Sequence, residues 1–212
     1  MPNFVGAEAA AERLRQTPEW QAARTIKANP DSPQWPVRQR ALEDGKVVFM
    51  AVPRLAEPDP FFLLDPHELA DSPRKASSIK GASRSARRVA VDQLEPVDLV
   101  VAGCVAAGED GTRLGKGGGF SDLEFAIASE AGLVDADTVV VTTVHELQAV
   151  PADEIPTTDH DVVLDLVVTP ERVIDCRADR GGRRPPGRLR WDELTTEKVD
   201  AIPVLRSLEP GR

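Results

Sequence analysis

Val97-Asp98-Leu99-Val100-Val101-Ala102-Gly103 leads into Gly111-Thr112-Arg113-Leu114-Gly115-Lys116-Gly117-Gly118-Gly119-Phe120-Ser121-Asp122-Leu123-Glu124, and Val139-Val140-Val141-Thr142-Thr143-Val144 follows. The first and last of these are near-continuous apolar runs of strand length, the pattern of strands buried on both faces of a parallel sheet. Between them the glycines make a turn, and residues 121–131 read as a helix. Ser121 as N-cap with Glu124 three residues later has the form of a capping box, and Gly132 closes the helix. Strand, glycine turn, helix, strand is a βαβ unit, whose crossover is expected to be right-handed.

Working outward, Val47-Val48-Phe49-Met50-Ala51-Val52 and Val162-Val163-Leu164-Asp165-Leu166-Val167-Val168 supply two further strands of the same buried kind. Ala9, Ala10 and Leu14, interleaved with charge, predict an amphipathic helix ended by Pro18, and a second short helix is expected around Trp20 to Ile26. Pro30, Pro33 and Pro36 make a loop, with a helix expected over residues 37–43. The basic run from Asp71 to Arg88 reads as a solvated surface or mobile loop, or as a patch that neutralises a polyanion. Residues 178–190 read as a flexible basic segment. Beyond them Trp191, Leu194, Val199, Ile202, Val204 and Leu205 resume an apolar pattern that should pack back on the domain.

The 212 residues, 41% hydrophobic, suit one α/β domain spanning 1–212 with a sizeable core. No apolar run approaches the ~20 residues that span a bilayer, and Met1-Pro2-Asn3-Phe4 lacks the pattern of a secretory signal, so a cytoplasmic protein is expected. Cys104 and Cys176 stand far apart, outside any zinc or redox spacing, and read as one buried and one surface thiol. The net charge of -9 argues against broad nonspecific affinity for nucleic acid. The basic residues are mostly arginine, and an acidic, lysine-poor surface stays hydrated at high salt.

A glycine turn before a helix exposes backbone N–H groups at the end where the helix dipole favours an anion. Arg113 brings a planar fork for phosphate oxygens and Lys116 a mobile point charge. The spacing matches neither the P-loop nor the dinucleotide fingerprint, so the turn is either an anion site or a tight turn without a ligand. Asp122, at the first turn of the helix, and Asp165, alone in an apolar strand, are both expected at the carboxyl edge of the sheet, where magnesium would suit them. The alternative is structural: Asp122 caps the helix and Asp165 bonds Arg172 or a backbone amide. His145 and His160 are either acid–base groups or polar residues at a strand end and in a loop.

Residues 111–122 resemble the G-x-R-[LI]-G-[RK]-G-x-G-[YF]-x-D signature of the 5-formyltetrahydrofolate cyclo-ligases, also called methenyltetrahydrofolate synthetases. Asp122-Leu123-Glu124-Phe125-Ala126, Val144-His145-Glu146, the run from His160 to Pro170 and Ile202-Pro203-Val204-Leu205-Arg206 resemble the branch of methenyltetrahydrofolate synthetase domain-containing proteins. The resemblance implies a three-layer α/β fold, an open, largely parallel sheet flanked by helices, of the NagB/RpiA/CoA-transferase-like kind. It implies ATP- and Mg2+-dependent cyclisation of 5-formyltetrahydrofolate, a reduced folate, to 5,10-methenyltetrahydrofolate. By the family pattern Arg113, Leu114, Gly115, Lys116, Gly117, Gly118, Gly119, Phe120 and Ser121 would hold ATP, and Asp122 and Asp165 magnesium.

Three features depart from the family pattern. Phe120 and Ser121 stand where two aromatic residues precede the aspartate, and Glu57-Pro58 is the candidate for the Glu-Pro segment of the folate pocket. The start of this sequence resembles a point some way into the branch, where a helix bearing Lys and Arg is expected to come first. The alternative function is a non-catalytic nucleotide- or RNA-binding regulatory member of the same fold. Arg180 to Arg190 offers charge for RNA but no interleaved aromatics for base stacking. A third reading is ATP-dependent activation of another carboxamide or formyl compound.

Overall fold

The computed structural model describes residues 3–158, 161–179 and 188–209. Its strands are β1 (Thr25–Ala28), β2 (Val47–Ala51), β3 (Phe61–Leu64), β4 (Arg87–Val89), β5 (Leu99–Val101), β6 (Ala106–Gly108), β7 (Arg113–Leu114), β8 (Val139–Thr143), β9 (Ala149–Val150), β10 (Leu166–Val168) and β11 (Val173–Asp175). Its α-helices are α1 (Ala7–Arg15), α2 (Pro18–Ala22), α3 (Trp35–Glu43), α4 (Pro73–Ala76), α5 (Ile79–Ser85), α6 (Phe120–Glu130), α7 (Thr196–Ala201) and α8 (Pro203–Leu208). Eight strands form one sheet in the order β11-β10-β8-β5-β1-β2-β3-β4. From β10 to β2 every pairing is parallel, while β11 at one end and β3 and β4 at the other run antiparallel.

Alternation along each strand divides the core into two layers. Phe49, Val100, Val140 and Val167 face α6, α7 and α8. Val48, Met50, Val101, Val141 and Val168 face the other way, onto Leu14 of α1, Trp20 of α2, Val37 of α3, Ala76 of α4 and Ala82 of α5. Helices therefore cover both faces of the sheet, as the three-layer expectation requires. Each fully buried side chain of the Leu14 or Ile26 kind contributes about 2 kcal/mol by leaving water. No helix among the described residues is long and apolar enough to cross a membrane.

Several elements differ from expectation, each for a tertiary reason. The short helix expected through Ile26 stops at Ala22, because Ala23 takes an extended conformation, and residues 25–28 become the central strand β1. Lys27 hides that strand by interrupting its apolar pattern, yet pairing with β2 on one side and β5 on the other holds it. The strand expected over residues 162–168 pairs only at Leu166–Val168.

The basic run is folded rather than loose: it holds α4, α5 and β4, and the Arg74 guanidinium lies 5.0 Å over the Trp35 ring. Both cysteines are buried, so the expected surface thiol is absent among the described residues. Burial pushes Cys104 up to about 11 and Cys176 up to about 12.

Between β5 and α6 the chain inserts part of a second, three-stranded sheet in the order β7-β6-β9, so the β6–β7 hairpin delivers the chain to the glycine turn. The last apolar segment packs back as expected: Val199, Ile202, Val204 and Leu205 are buried in the α6 layer. Most of the expected flexible basic segment lies outside the described residues.

Candidate functional site

In the parallel part of the sheet the chain runs from β1 outward to β2 on one side, and from β5 through β8 to β10 on the other. The carboxyl ends of β1 and β5 therefore flank a topological switch point, where open α/β sheets bind ligands. A cleft of about 520 Å³ opens there. Residues 29–32 after β1, Pro53 and Arg54 after β2, the glycine turn and the first turn of α6 line it.

The turn follows from glycine stereochemistry. Gly117 and Gly119 have φ of 85° and 64°, a left-handed region that a Cβ disfavours, and Gly119 is the N-cap of α6. The expected capping box is not formed. Helix α6 starts at Phe120, which leaves Ser121 within the first turn, and no side chain among the described residues caps the N-terminus. Glu124 turns inward instead, forming a buried ion pair with Lys27 and accepting from Asn29 Nδ2 at 2.9 Å. The first-turn N–H groups of α6 are thus left to an outside acceptor. Gly132, at φ 71°, follows the helix end as expected.

Both cations of the turn already have carboxylate partners. Arg113 is buried, and its guanidinium donates to Asp122 and, at 3.2 Å, to the Gly103 carbonyl. Its Nε has no partner among the described residues. Asp122 Oδ1 also accepts from Val162 N at 3.1 Å, tying the first turn of α6 to the segment before β10. Across the cleft, Lys116 Nζ donates to Asp31 Oδ1 at 2.7 Å, which raises the Lys116 ammonium above its ordinary value. Arg38, reaching from α3, fixes the loop that carries Asp31. It donates to the carbonyls of Asn29, Asp31 (3.1 Å), Pro30 (3.3 Å) and Ser77 (2.9 Å).

Asp165 stands apart from this cluster. The expectation that it reaches the carboxyl edge fails because β10 begins only at Leu166, which leaves Asp165 at the end where the parallel strands start. There its carboxylate accepts from Val140 N at 2.8 Å and its own N–H donates to Val140 O at 2.7 Å. Asp122 lines the cleft and Asp165 does not. No group of three or more His, Cys, Asp or Glu side chains suited to a metal occurs among the described residues.

His145 lies at the end of its strand, where Nδ1 accepts from Leu147 N at 3.1 Å and caps a short 3-10 turn. His160 lies outside the described residues. Glu57 pairs with Arg88 at 3.1 Å and does not line the cleft. Sequence reading missed Lys27, Asn29, Asp31, Arg38 and Arg54. The one local sign of Lys27 is its place between the apolar Ile26 and Ala28; the others carry none, because they sit in loops or on helices without a motif.

Parallel strands doubly wound with helices, with a glycine turn at the start of α6 over the switch point, define an open, largely parallel three-layer α/β domain. Residues 2–170 match the 5-formyltetrahydrofolate cyclo-ligase family, and the chain belongs to it. It is similar to the methenyltetrahydrofolate synthase domain-containing proteins of Bos taurus and Mus musculus. Each is 40% identical over 211 residues, which is 98% of this chain and 54% and 55% of theirs. The chain thus spans about half the length of these relatives. The NMR structure of Aquifex aeolicus 5,10-methenyltetrahydrofolate synthetase superposes with a TM-score of 0.55 at 20% identity. That match covers 81% of each chain and shares the fold.

Proposed function

We propose that this chain binds ATP with Mg2+ at the glycine turn and closes 5-formyltetrahydrofolate to 5,10-methenyltetrahydrofolate, acting in the cytoplasm. The observation that carries the reading is the uncapped start of α6 behind two left-handed glycines, opening on the switch-point cleft. Family membership supplies the substrate class. The turn, residues Arg113 through Ser121, takes the phosphates. Its glycines let backbone N–H groups approach phosphate oxygens, and Lys116 adds a point charge once it exchanges Asp31 for the ligand.

Magnesium, when bound, neutralises charge on the phosphates, a task that needs only one or two protein carboxylates. Asp122 fits it, since Oδ2 has no partner among the described residues while Oδ1 is held by Arg113 and Val162. Asp165, outside the cleft, does not fit without a change of its surroundings. The chemistry asked of the chain is positioning and charge stabilisation. The formyl oxygen takes the γ-phosphoryl group and ADP leaves; N10 attacks the activated carbon, loses its proton, and inorganic phosphate departs.

Purified protein with 5-formyltetrahydrofolate, ATP and Mg2+ should develop the methenyl-folate absorbance, and removing magnesium should abolish it. Nucleotide bound without product would overturn catalysis and leave the binding-module alternative. No nucleotide bound at all would reduce the turn to a structural one.

A further inference from the structure

The glycine turn has a second cleft on its other side, of about 390 Å³. It shares Arg113, Gly115, Gly119 and Asp122 with the first. Its outer wall is the chain between Arg188 and Lys198, beyond residue 170 where the family match ends. Helix α7 is rooted there by Val199, buried in the α6 layer, and is capped by Thr195, whose hydroxyl accepts from Lys198 N at 3.2 Å. The helix thereby brings the Lys198 side chain to the turn. Its Nζ donates to the Gly118 carbonyl at 3.2 Å and lies 5.8 Å from the Phe120 ring centroid.

Electrostatically this is an odd place for an ammonium group. It sits at the N-terminus of α6, the positive end of the helix dipole, where a cation is disfavoured and an anion favoured. Arg113 and Lys116 have Asp122 and Asp31 to neutralise them, whereas Lys198 has no carboxylate partner among the described residues. Arg113, whose buried Nε has no partner among those residues, also lines this cleft. A phosphate seated between Lys198 and the start of α6 would neutralise the ammonium and accept from the first N–H groups of the helix. We infer that Lys198 is a phosphate ligand supplied by the C-terminal segment. It exchanges the Gly118 carbonyl for the polyphosphate of a nucleotide held on the glycine turn, so residues beyond the family match complete the nucleotide site. The inference rests on the nucleotide-binding reading above.

The test is titration of AMP, ADP and ATP, each with Mg2+, into the whole chain and into its Lys198→Met and Lys198→Arg variants, with a thermal melt of each. Lys198→Met should weaken ATP about tenfold, as expected for loss of a charge-assisted contact, and AMP far less. Lys198→Arg should bind ATP nearly as the parent does, and the melting temperatures should agree. Equal ATP affinity in the parent and Lys198→Met would overturn the inference while leaving the nucleotide site in place. A loss of the same size for AMP and ATP would make Lys198 a structural support of the turn and would also overturn it. A parent chain that binds none of the three nucleotides removes the functional reading and this inference together.

Discussion

Lys27 in the central strand β1 and Glu124 in α6 form a buried ion pair, each side chain only 4% exposed, with Asn29 as a third member bonding the same carboxylate. The pair welds the helix that begins at the glycine turn to the middle of the sheet. Removing one partner strands the other charge in a low-dielectric core, so Lys27→Met and Glu124→Leu should each cost about 3–5 kcal/mol. The double variant should recover much of that loss, because a matched apolar pair leaves no buried charge. Urea unfolding of the four proteins measures the coupling; additive losses would show that the two residues act independently.

Arg38 bonds four backbone carbonyls, three of them in the loop that presents Asp31 to the cleft. Arg38→Met should cost about 3 kcal/mol, since it leaves buried acceptors unmade. Arg38→Lys should rescue little of it, because a point charge cannot span a fork's separate acceptors. Chemical denaturation of both variants reads this directly.

Gly119 and Gly132 bracket α6, both in the left-handed region at φ 64° and 71°. Alanine at either should cost roughly 1–2 kcal/mol of backbone strain. The space around them differs: a Cβ at Gly119 comes within 3.2 Å of Lys198 Nζ, while one at Gly132 meets nothing within 4 Å. Gly119→Ala should therefore weaken ATP binding and Gly132→Ala should not, a contrast that one calorimetric titration of each variant resolves.

Asp44 and Asp98 set an acid limit. Burial alone pushes both carboxyls up, but hydrogen bonds outweigh it and hold them below their ordinary value of 3.8. Asp44 takes these bonds from Arg15 and Trp20, and Asp98 from the amides of Arg24 and Thr25. A carboxylate depressed in the folded state adds stability that is fully present above its unfolded value and is lost as pH falls through the folded one. Stability should hold down to about pH 5 and fall steadily below about pH 4. Asp44→Asn and Asp98→Asn should flatten that fall while lowering stability at neutral pH, as urea midpoints across the pH range would report.

Legibility varied with the kind of signal. β2, β5 and β8 could be read because continuous apolar runs bounded by turn formers report burial on both faces. β1 could not, because Lys27 breaks its pattern and its existence depends on strands far along the chain. The capping box at Ser121 and Glu124 failed for a related reason: local spacing permits it, but Lys27 and Asn29 compete for the same carboxylate.

By itself the sequence determined the parallel α/β class, the glycine turn before a helix and the family, since these depend on residues adjacent along the chain. Tertiary structure decided that Glu124 pairs with Lys27, that Lys116 reaches Asp31, that Asp165 lies at the opposite edge from Asp122, and that Lys198 rests on Gly118. Each of these turns on strand register and helix docking. A charged group takes the partner that packing brings within reach, and no local pattern records which partner that will be.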